Sequence, residues 1–192
     1  MDIHLQKVIM KTQQNEIIEK AAGIIRNSGL DELTIHNLAD KLQIKESQLY
    51  GRLSKDDDIL LILLLSLESD MVDFLKGTKQ SSEIPENELK ILFKKLYFLF
   101  LQKPYYLDLI FDKKLKDRDE SIRNSLLRIR EMAEYYLTEI INKGKSENNF
   151  KTTVSTKVLA NKILAGFRTY MKDEQRFHEV ILEMKKIKTS KD

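Results

Sequence analysis

The sequence has no cysteine, no tryptophan, only two prolines and only six glycines. Without cysteine, disulfide bonds and thiolate metal sites are excluded, and the composition fits a reducing compartment such as the cytoplasm. Proline and glycine are the residues that most often interrupt helices, so their scarcity predicts long helices and an all-α fold. Hydrophobic residues make up 42% of the chain, which is enough for a sizeable core.

Long hydrophobic runs are missing as well. The longest run, residues 59–65, is much shorter than the roughly 20 apolar residues that a membrane-spanning helix needs. The first residues, MDIHLQKVIMKTQQ, lack the apolar segment of a secretion signal. We therefore expect no membrane partner and a cytoplasmic location.

The charge is unevenly distributed along the chain. Residues 1–58 contain eight basic and ten acidic residues, a net charge of −2, whereas the whole chain carries +3. Residues 59–192 must therefore carry +5. Domains that bind DNA usually carry an excess of basic residues, so this balance weighs against strong DNA binding by the N-terminal part.

Apolar residues recur at three- and four-residue steps along most of the chain, which is typical of amphipathic helices. The pattern predicts about nine helices, at residues 15–26, 35–42, 45–53, 56–76, 89–101, 105–115, 121–142, 154–171 and 174–186. Residues 59–65 are apolar on all sides, which predicts a helix buried between two domains. Residues 77–88 and 143–150 are predicted to be a loop and a turn, and residues 185–192 a frayed basic tail.

The first three predicted helices have the layout of a helix-turn-helix domain. Gly29 can end the first helix in a left-handed conformation, Thr34 can cap the second helix, and residues 43–44 make a tight connection to the third. The residues that this motif would bury are Leu38, Ala39, Leu42, Ile44 and Leu49. We therefore divide the chain into a helix-turn-helix domain, residues 1–58, and a larger helical domain, residues 59–192.

Two stretches resemble a known family. LTIHNLADKLQIKESQLYGRLSKDDDIL resembles the DNA-binding signature of the TetR-type (TetR/AcrR) transcriptional regulators, and the preceding IIEKAAGIIRNSGLDELT resembles that family's first helix and loop. The resemblance covers about residues 15–60. Beyond it only the layout is shared, a helical ligand-binding domain whose last two helices usually pair two subunits. The resemblance implies a homodimer that binds a double-stranded DNA operator.

The resemblance also implies which residues would contact DNA. Thr34 and Tyr50 would hydrogen-bond phosphates, Gln48 would pair with adenine, and Glu46 would accept a hydrogen bond from cytosine N4. The full set of implied DNA-binding residues is Thr34, Lys45, Glu46, Ser47, Gln48, Tyr50, Arg52 and Lys55. The alternatives are a half-buried packing role for Tyr50 and a solvated surface role for Glu46 and Gln48.

The sequence departs from the family pattern at several positions. Gln43 stands where the family has a turn glycine, and Leu53 stands where it has an aromatic residue. Lys55 falls one residue before the family lysine, whose place Asp56 takes. In the first turn of a helix, residues 56–58 would be stabilised by the helix dipole, and we expect no further role for them. Replacing Asp56 with lysine is therefore predicted to tighten DNA binding.

Aromatic residues are numerous in the larger domain. At helical spacing such residues usually belong to the core, but together they could line a cavity for an apolar or aromatic ligand. The candidate ligand-binding residues are Tyr97, Phe98, Tyr105, Phe111, Tyr136 and Phe167. Their surroundings lack charged residues, which favours a small hydrophobic effector over a metal ion or an anion.

The last two predicted helices carry an apolar stripe that could form a four-helix bundle across a twofold axis. The candidate interface residues are Leu159, Ile163, Gly166, Phe167, Tyr170, Phe177, Ile181 and Met184. In this interpretation Gly166 lets the helices of two subunits approach closely. The alternative is that the stripe packs onto its own domain.

No catalytic motif is present. The three histidines are scattered, and there is no glycine-rich phosphate loop, HExxH pair or nucleophile elbow. We predict no enzymatic activity, no cofactor and no metal site. The favoured function is a ligand-responsive transcriptional regulator, most simply a repressor. The alternatives are a ligand-binding or interaction module whose DNA binding is weak or lost, and a monomeric lipid carrier.

Overall fold

A computed structural model gives the fold. It describes residues 3–78 and 84–186, with side chains for residues 14–76 and 84–186. Within these ranges the chain forms nine α-helices, two short 3-10 helices (Leu30–Glu32 and Leu115–Asp117) and no strand, which confirms the all-α prediction. The α-helices are α1 (Ile3–Ser28), α2 (Ile35–Leu42), α3 (Glu46–Leu49), α4 (Asp56–Thr78), α5 (Pro85–Gln102), α6 (Tyr105–Phe111), α7 (Glu120–Ser146), α8 (Thr156–Tyr170) and α9 (Glu174–Lys185).

The third helix differs from its predicted extent of residues 45–53. The α-helix covers only Glu46–Leu49, and the chain then turns, with the Arg52 N–H donating to the Leu49 carbonyl at 2.8 Å. Gly51 lies in this turn, and glycine has a low helix propensity. The candidate recognition helix is therefore a single turn followed by a tight bend.

The turn predicted at residues 143–150 begins later than expected, because α7 continues to Ser146. Gly144 lies inside the helix, and a Cβ atom there would lie 2.1 Å from the ring of buried Phe150. The residue with the left-handed conformation is instead Asn148, with φ 57°, a conformation that asparagine tolerates. Gly144 thus serves close packing rather than the turn itself.

The chain separates into two compact units. The first comprises Met1–Glu68 and Gln102–Leu126, and the second comprises Ser69–Leu101 and Leu127–Asp192. The boundary predicted at residue 58 is a functional one, which this geometric division does not test.

The core of the first unit contains side chains from α1, α2, α3, the start of α4 and α6. Its fully or almost fully buried side chains include Ala21, Leu38, Ala39, Leu49, Leu53, Ile59, Leu60 and Leu63. The prediction that Ile44 is buried is wrong, since it is 37% exposed. Leu65 is 43% exposed, so residues 59–65 are not buried on all sides as the sequence suggested.

The second unit packs α5, α7, α8 and α9 around one apolar cluster, whose most central residues include Leu89, Ile141, Ala160, Ile181 and Met184. Of the predicted loop, residues 79–83 lie outside the described residues, and so do residues 187–192 of the predicted tail. Over the described part of the chain, we find no helix with the length and hydropathy of a membrane span.

Candidate nucleic-acid interface and ligand cavity

Two side chains accept hydrogen bonds from backbone N–H groups in the first turn of α2. The Thr34 hydroxyl accepts a hydrogen bond from the Asn37 N–H at 3.1 Å, which confirms the predicted cap. The Asp56 carboxylate accepts the Ile35 N–H at 2.6 Å, although the two residues are 21 positions apart. The first residue of α4 thus also caps α2, a role that the sequence analysis missed because no local pattern reveals so distant a partner.

The connection between α2 and α3 is a left-handed turn. Gln43 has φ 56° and ψ 40°, so this residue adopts the conformation for which the family uses glycine. The Ile44 N–H donates to the Ala39 carbonyl at 3.1 Å and closes the turn. The helix-turn-helix geometry therefore forms without the glycine.

The polar side chains predicted to contact bases or phosphates are exposed on α3 and at its N-cap. Lys45, Ser47 and Gln48 are all exposed. The Gln48 side-chain oxygen accepts the Lys45 N–H at 3.0 Å and so caps its own helix. A contact between Gln48 and adenine would require this local hydrogen bond to be exchanged.

Glu46 is the centre of a hydrogen-bonded cluster. Its Oε1 atom lies 2.7 Å from Nδ1 of His36, and its Oε2 atom accepts the Tyr50 hydroxyl at 3.3 Å. The other ring nitrogen of His36 lies 3.6 Å from the Asp40 carboxylate. The hydrogen bond to Glu46, with the charge of Asp40, raises the pKa of His36 above its ordinary value of 6.5. His36 was not among the predicted site residues, and its cross-helix partner could not be inferred from spacing.

Lys55 and the three aspartates after it all have partners. Lys55 pairs with Asp119, and this contact lowers the pKa of Asp119 to about 2. Asp57 lies 3.6 Å from Arg118. Asp58 accepts the backbone N–H groups of Ser54 at 2.6 Å and of Lys55 at 3.2 Å. The interpretation of residues 56–58 as a charge cluster at a helix terminus and nothing more is therefore incomplete.

The second unit contains a small apolar cavity. It is lined by Met71, Leu75, Leu89, Leu92, Phe93, Leu96, Ala133, Tyr136, Leu137, Ile163, Leu164, Phe167 and Phe177, and offers about 40 Å³ of open space. Ligand sites usually measure about 300–1,000 Å³, so a drug-sized ligand would have to displace side chains. Two of the predicted ligand-binding residues, Tyr136 and Phe167, belong to this lining.

A buried carboxylate contacts Tyr136, one of the residues that line the cavity. Glu88 is 6% exposed, its Oε1 atom accepts the Tyr136 hydroxyl at 3.5 Å, and Lys143 lies 3.9 Å from its Oε2 atom. Burial raises the pKa of Tyr136 to about 12, and the charge of Glu88 adds to the effect. Tyr136 therefore presents its ring to the cavity while its hydroxyl is held by Glu88.

The other predicted ligand-binding residues lie elsewhere. Phe98 is 49% exposed on α5, with its ring 5.9 Å from that of Tyr97, and neither residue lines the cavity. Tyr105 and Phe111 belong to the first unit, where Tyr105 lines an open groove of about 620 Å³. The prediction of a single cavity for all six residues is therefore not met, since aromatic content does not reveal which unit a helix joins.

The residues predicted to form a dimer interface are largely buried within one chain. Leu159, Ile163, Tyr170, Phe177, Ile181 and Met184 are each at most 7% exposed, in the core of the second unit. Phe167 is partly buried against the same core. A Cβ atom at Gly166 would lie 2.3 Å from the Tyr170 phenol of the same chain. The stripe thus packs onto its own domain, which corrects the prediction of an intersubunit stripe.

Among the described side chains, no group of three or more His, Asp or Glu residues is arranged to hold a metal ion. The candidate site is instead a pair of features, a helix-turn-helix with exposed polar side chains in the first unit and an apolar cavity in the second.

The fold is similar to solved structures of transcriptional regulators. The TetR family regulator PfmR from Thermus thermophilus matches 86% of this chain and 96% of its own, with a TM-score of 0.73 and 17% identity. A TetR regulator from Haloarcula marismortui matches 91% of this chain and 93% of its own, with a TM-score of 0.70 and 20% identity. FadR from Bacillus subtilis, solved in complex with stearoyl-CoA, matches 88% of this chain and 92% of its own, with a TM-score of 0.64 and 16% identity.

No protein-family model and no curated protein matches the sequence. At these identities the structural likeness establishes the fold, and it confirms the TetR-type resemblance at that level. The chain has the fold of the TetR/AcrR transcriptional regulators.

Proposed function

We propose that this protein is a ligand-responsive transcriptional repressor that binds a palindromic operator as a homodimer and is released by a small apolar or aromatic effector. The observation that carries the proposal is the left-handed turn at Gln43 between α2 and α3, which leaves Lys45, Ser47 and Gln48 exposed. A one-turn helix that presents polar side chains after such a turn is suited to the major groove. Residues 1–58 would bind DNA and residues 59–192 the effector.

The effector proposal rests on the apolar cavity of the second unit. Its lining is formed by aliphatic and aromatic side chains, so it would favour a hydrocarbon chain or a flat aromatic body over an ion. A similar solved regulator was crystallised with stearoyl-CoA, which makes long-chain acyl compounds the first ligands to test. We propose no cofactor, no catalytic step and a cytoplasmic location.

Dimerisation would use the outer side of α8 and α9, since their inner side is already buried. Val158 is 56% exposed and Leu182 is 50% exposed, and both are apolar. Replacing both with glutamate should convert the dimer to a monomer in a solution size measurement. Leu127→Glu on α7, where the leucine is 47% exposed, is the matched control and should leave the dimer intact.

The proposed mechanism is a shift of α4. Because the Asp56 carboxylate at the start of α4 binds the first N–H of α2, movement of α4 would act directly on the helix-turn-helix. An effector that binds one arrangement of α4 more tightly shifts the population toward it. By linkage, the effector and the operator must then change each other's affinity by the same factor.

The test begins with selection of operator fragments from genomic DNA, followed by anisotropy titrations at several salt concentrations. A specific site with a steep salt dependence is expected, and Lys45→Ala should reduce the slope by about 1 per contacted phosphate. Ala133→Leu, which extends a side chain into the cavity, should abolish the response to an acyl effector while preserving operator binding. Weak, non-specific DNA binding would contradict the proposal.

A second candidate function is a ligand-binding or interaction module on the same scaffold that no longer binds DNA well. Its support is the net charge of −2 over residues 1–58, together with the pairing of Lys55 by Asp119. This candidate predicts a flat salt dependence and effector binding that DNA does not alter. The same titrations therefore decide between the two functions.

A further inference from the structure

One acidic side chain lies within the proposed DNA-binding surface. Glu46 is the first residue of α3, and its side chain is 41% exposed. DNA phosphates would be repelled by an uncompensated carboxylate at this position. Both oxygens of this carboxylate are engaged, one by the His36 ring at 2.7 Å and one by the Tyr50 hydroxyl at 3.3 Å.

We propose that His36 is a further operator-binding determinant, whose protonated ring neutralises and positions Glu46 and so makes operator binding depend on pH. The proposal rests on the DNA-binding function proposed above. It also gives Glu46 a role other than the cytosine contact that the family resemblance implies. Glu46 would hold Tyr50 and His36 in place, and the base contacts would fall to the other side chains of α3.

The charges around the ring set the direction of the effect. Asp40 on α2, 3.6 Å away, and Glu46 on α3, 2.7 Å away, are the charged groups that act on His36. Tyr50 donates to the other oxygen of Glu46, and the charge of Asp56 acts on Tyr50. With His36 protonated, the His36, Asp40 and Glu46 group carries −1, and with His36 neutral it carries −2. Loss of the proton therefore adds one negative charge to the surface that would meet the phosphates.

Protonation of His36 and operator binding favour each other. Operator binding should be strongest below the pKa of His36 and weaken as the pH rises through it. The hydrogen bond that His36 donates to Glu46 and the charge of Asp40 raise that pKa above 6.5, and bound phosphates would raise it further. The wild-type protein should therefore lose affinity as the pH rises above 6.5 and through the raised pKa of His36.

The expected size follows from counterion release. For each phosphate charge that the protein neutralises, the binding constant varies as the salt concentration to the power of about −0.9. At about 0.1 M salt, one such charge therefore changes the binding constant about eightfold. One charge is gained or lost per subunit. We therefore expect an affinity change of up to about eightfold for each half-site, and a pH slope of at most one logarithmic unit per half-site.

The experiment measures binding to the selected operator fragment from about pH 6 to about pH 9 at constant ionic strength. His36→Gln should bind weakly with little pH dependence, whereas His36→Lys, which keeps a positive charge, should bind tightly with little pH dependence. Glu46→Gln removes the carboxylate that His36 positions, so adding His36→Gln to it should cost less affinity than His36→Gln costs in the wild-type protein. His178→Gln is the matched control, because His178 lies in the second unit, 3.8 Å from Glu174.

A second readout does not involve DNA. The titration of His36, followed by NMR, should move toward its ordinary pKa in Glu46→Gln. An unchanged His36 titration in that variant, or a wild-type pH slope retained by His36→Gln, would overturn the inference while leaving the proposed function standing. A wild-type protein that binds no fragment specifically at any pH would overturn both.

Discussion

Removal of the Asp56 carboxylate is the sharpest test of how α2 and α4 are joined. Its Oδ1 atom accepts the Ile35 N–H at 2.6 Å. Ile35 is the first residue of α2, so its N–H has no acceptor within the helix. Ile35 is also only 3% exposed, which restricts access of water to the N–H if the carboxylate is lost.

The loss of stability expected for Asp56→Ala can be estimated from the typical contributions of helix caps and of hydrogen bonds to charged groups. Loss of a helix cap costs about 0.5–2 kcal/mol, and hydrogen bonds to charged groups contribute about 1.5–3 kcal/mol. We expect the free energy of unfolding to fall by about 2 kcal/mol. Asp56→Asn keeps an oxygen acceptor but loses the charge, so its cost should be smaller, about 1 kcal/mol.

The assay is urea denaturation, combined with amide exchange of Ile35, which reports the hydrogen bond directly. Asp57→Asn is the matched control, because Asp57 also lies in the first turn of α4 but makes an ion pair at 3.6 Å with Arg118. Such surface pairs contribute less than about 1 kcal/mol. Equal stability losses in the two variants, with unchanged exchange at Ile35, would refute the capping role.

The same bond reverses the expectation for lysine at this position. The sequence pattern predicts that Asp56→Lys tightens operator binding, because the family has a lysine there. A lysine cannot accept the Ile35 N–H, so we now expect the variant to lose about 2 kcal/mol or more of stability. Its operator affinity should not improve at temperatures where α2 frays. A stable Asp56→Lys protein that binds DNA more tightly would contradict this reasoning.

Three further predictions follow from single contacts. Gln43→Gly should raise the free energy of unfolding by about 1 kcal/mol, since glycine adopts the left-handed turn without strain, and thermal denaturation can check it. Gly166→Ala should lower it by about 1–3 kcal/mol, because the new Cβ atom would lie 2.3 Å from a buried tyrosine, whereas Gly23→Ala, with nothing within 4 Å, should not lower it. Asp119→Asn should release Lys55 and steepen the salt dependence of operator binding by the dimer by about 1.8. Because the pKa of Asp119 is lowered to about 2, the stability from this pair is present above pH 3.8 and is lost only as the pH falls from there toward 2.

The helix-turn-helix could be predicted from the sequence because its signals are local. Thr34 before an apolar run predicts the start of α2, and the cap is formed. The spacing of Leu38, Ala39 and Leu49 predicts their burial, and all three are buried. Tertiary contacts are not local, so the sequence does not predict them: neither the Asp56–Ile35 bond nor the His36–Glu46 contact follows from the residues between the partners.

The dimer stripe shows a different limit of sequence reasoning. An apolar stripe predicts that a helix face is buried but does not say which partner covers it. On α8 and α9 the stripe is covered by the chain's own α5 and α7, as the stacking of Phe93 on Phe177 at 4.2 Å illustrates. The glycine in the stripe predicts close contact between subunits, yet its close neighbour is a tyrosine one turn later in the same chain. The more informative residues for association are the apolar ones that stay exposed, Val158 and Leu182.

The net charge of the N-terminal part is a poor guide to its affinity for DNA, because the acids are not equivalent. Asp56 and Asp58 accept backbone N–H groups at helix starts, where the helix dipole offsets part of their charge. Asp57 removes no cation from the predicted DNA-binding set, since its partner is Arg118. Within the predicted DNA-binding set, Lys55 is paired by Asp119, and the charge of Glu46 is offset only when His36 is protonated. We therefore expect the affinity of the proposed DNA-binding surface to depend on these two contacts, each of which a single substitution can remove.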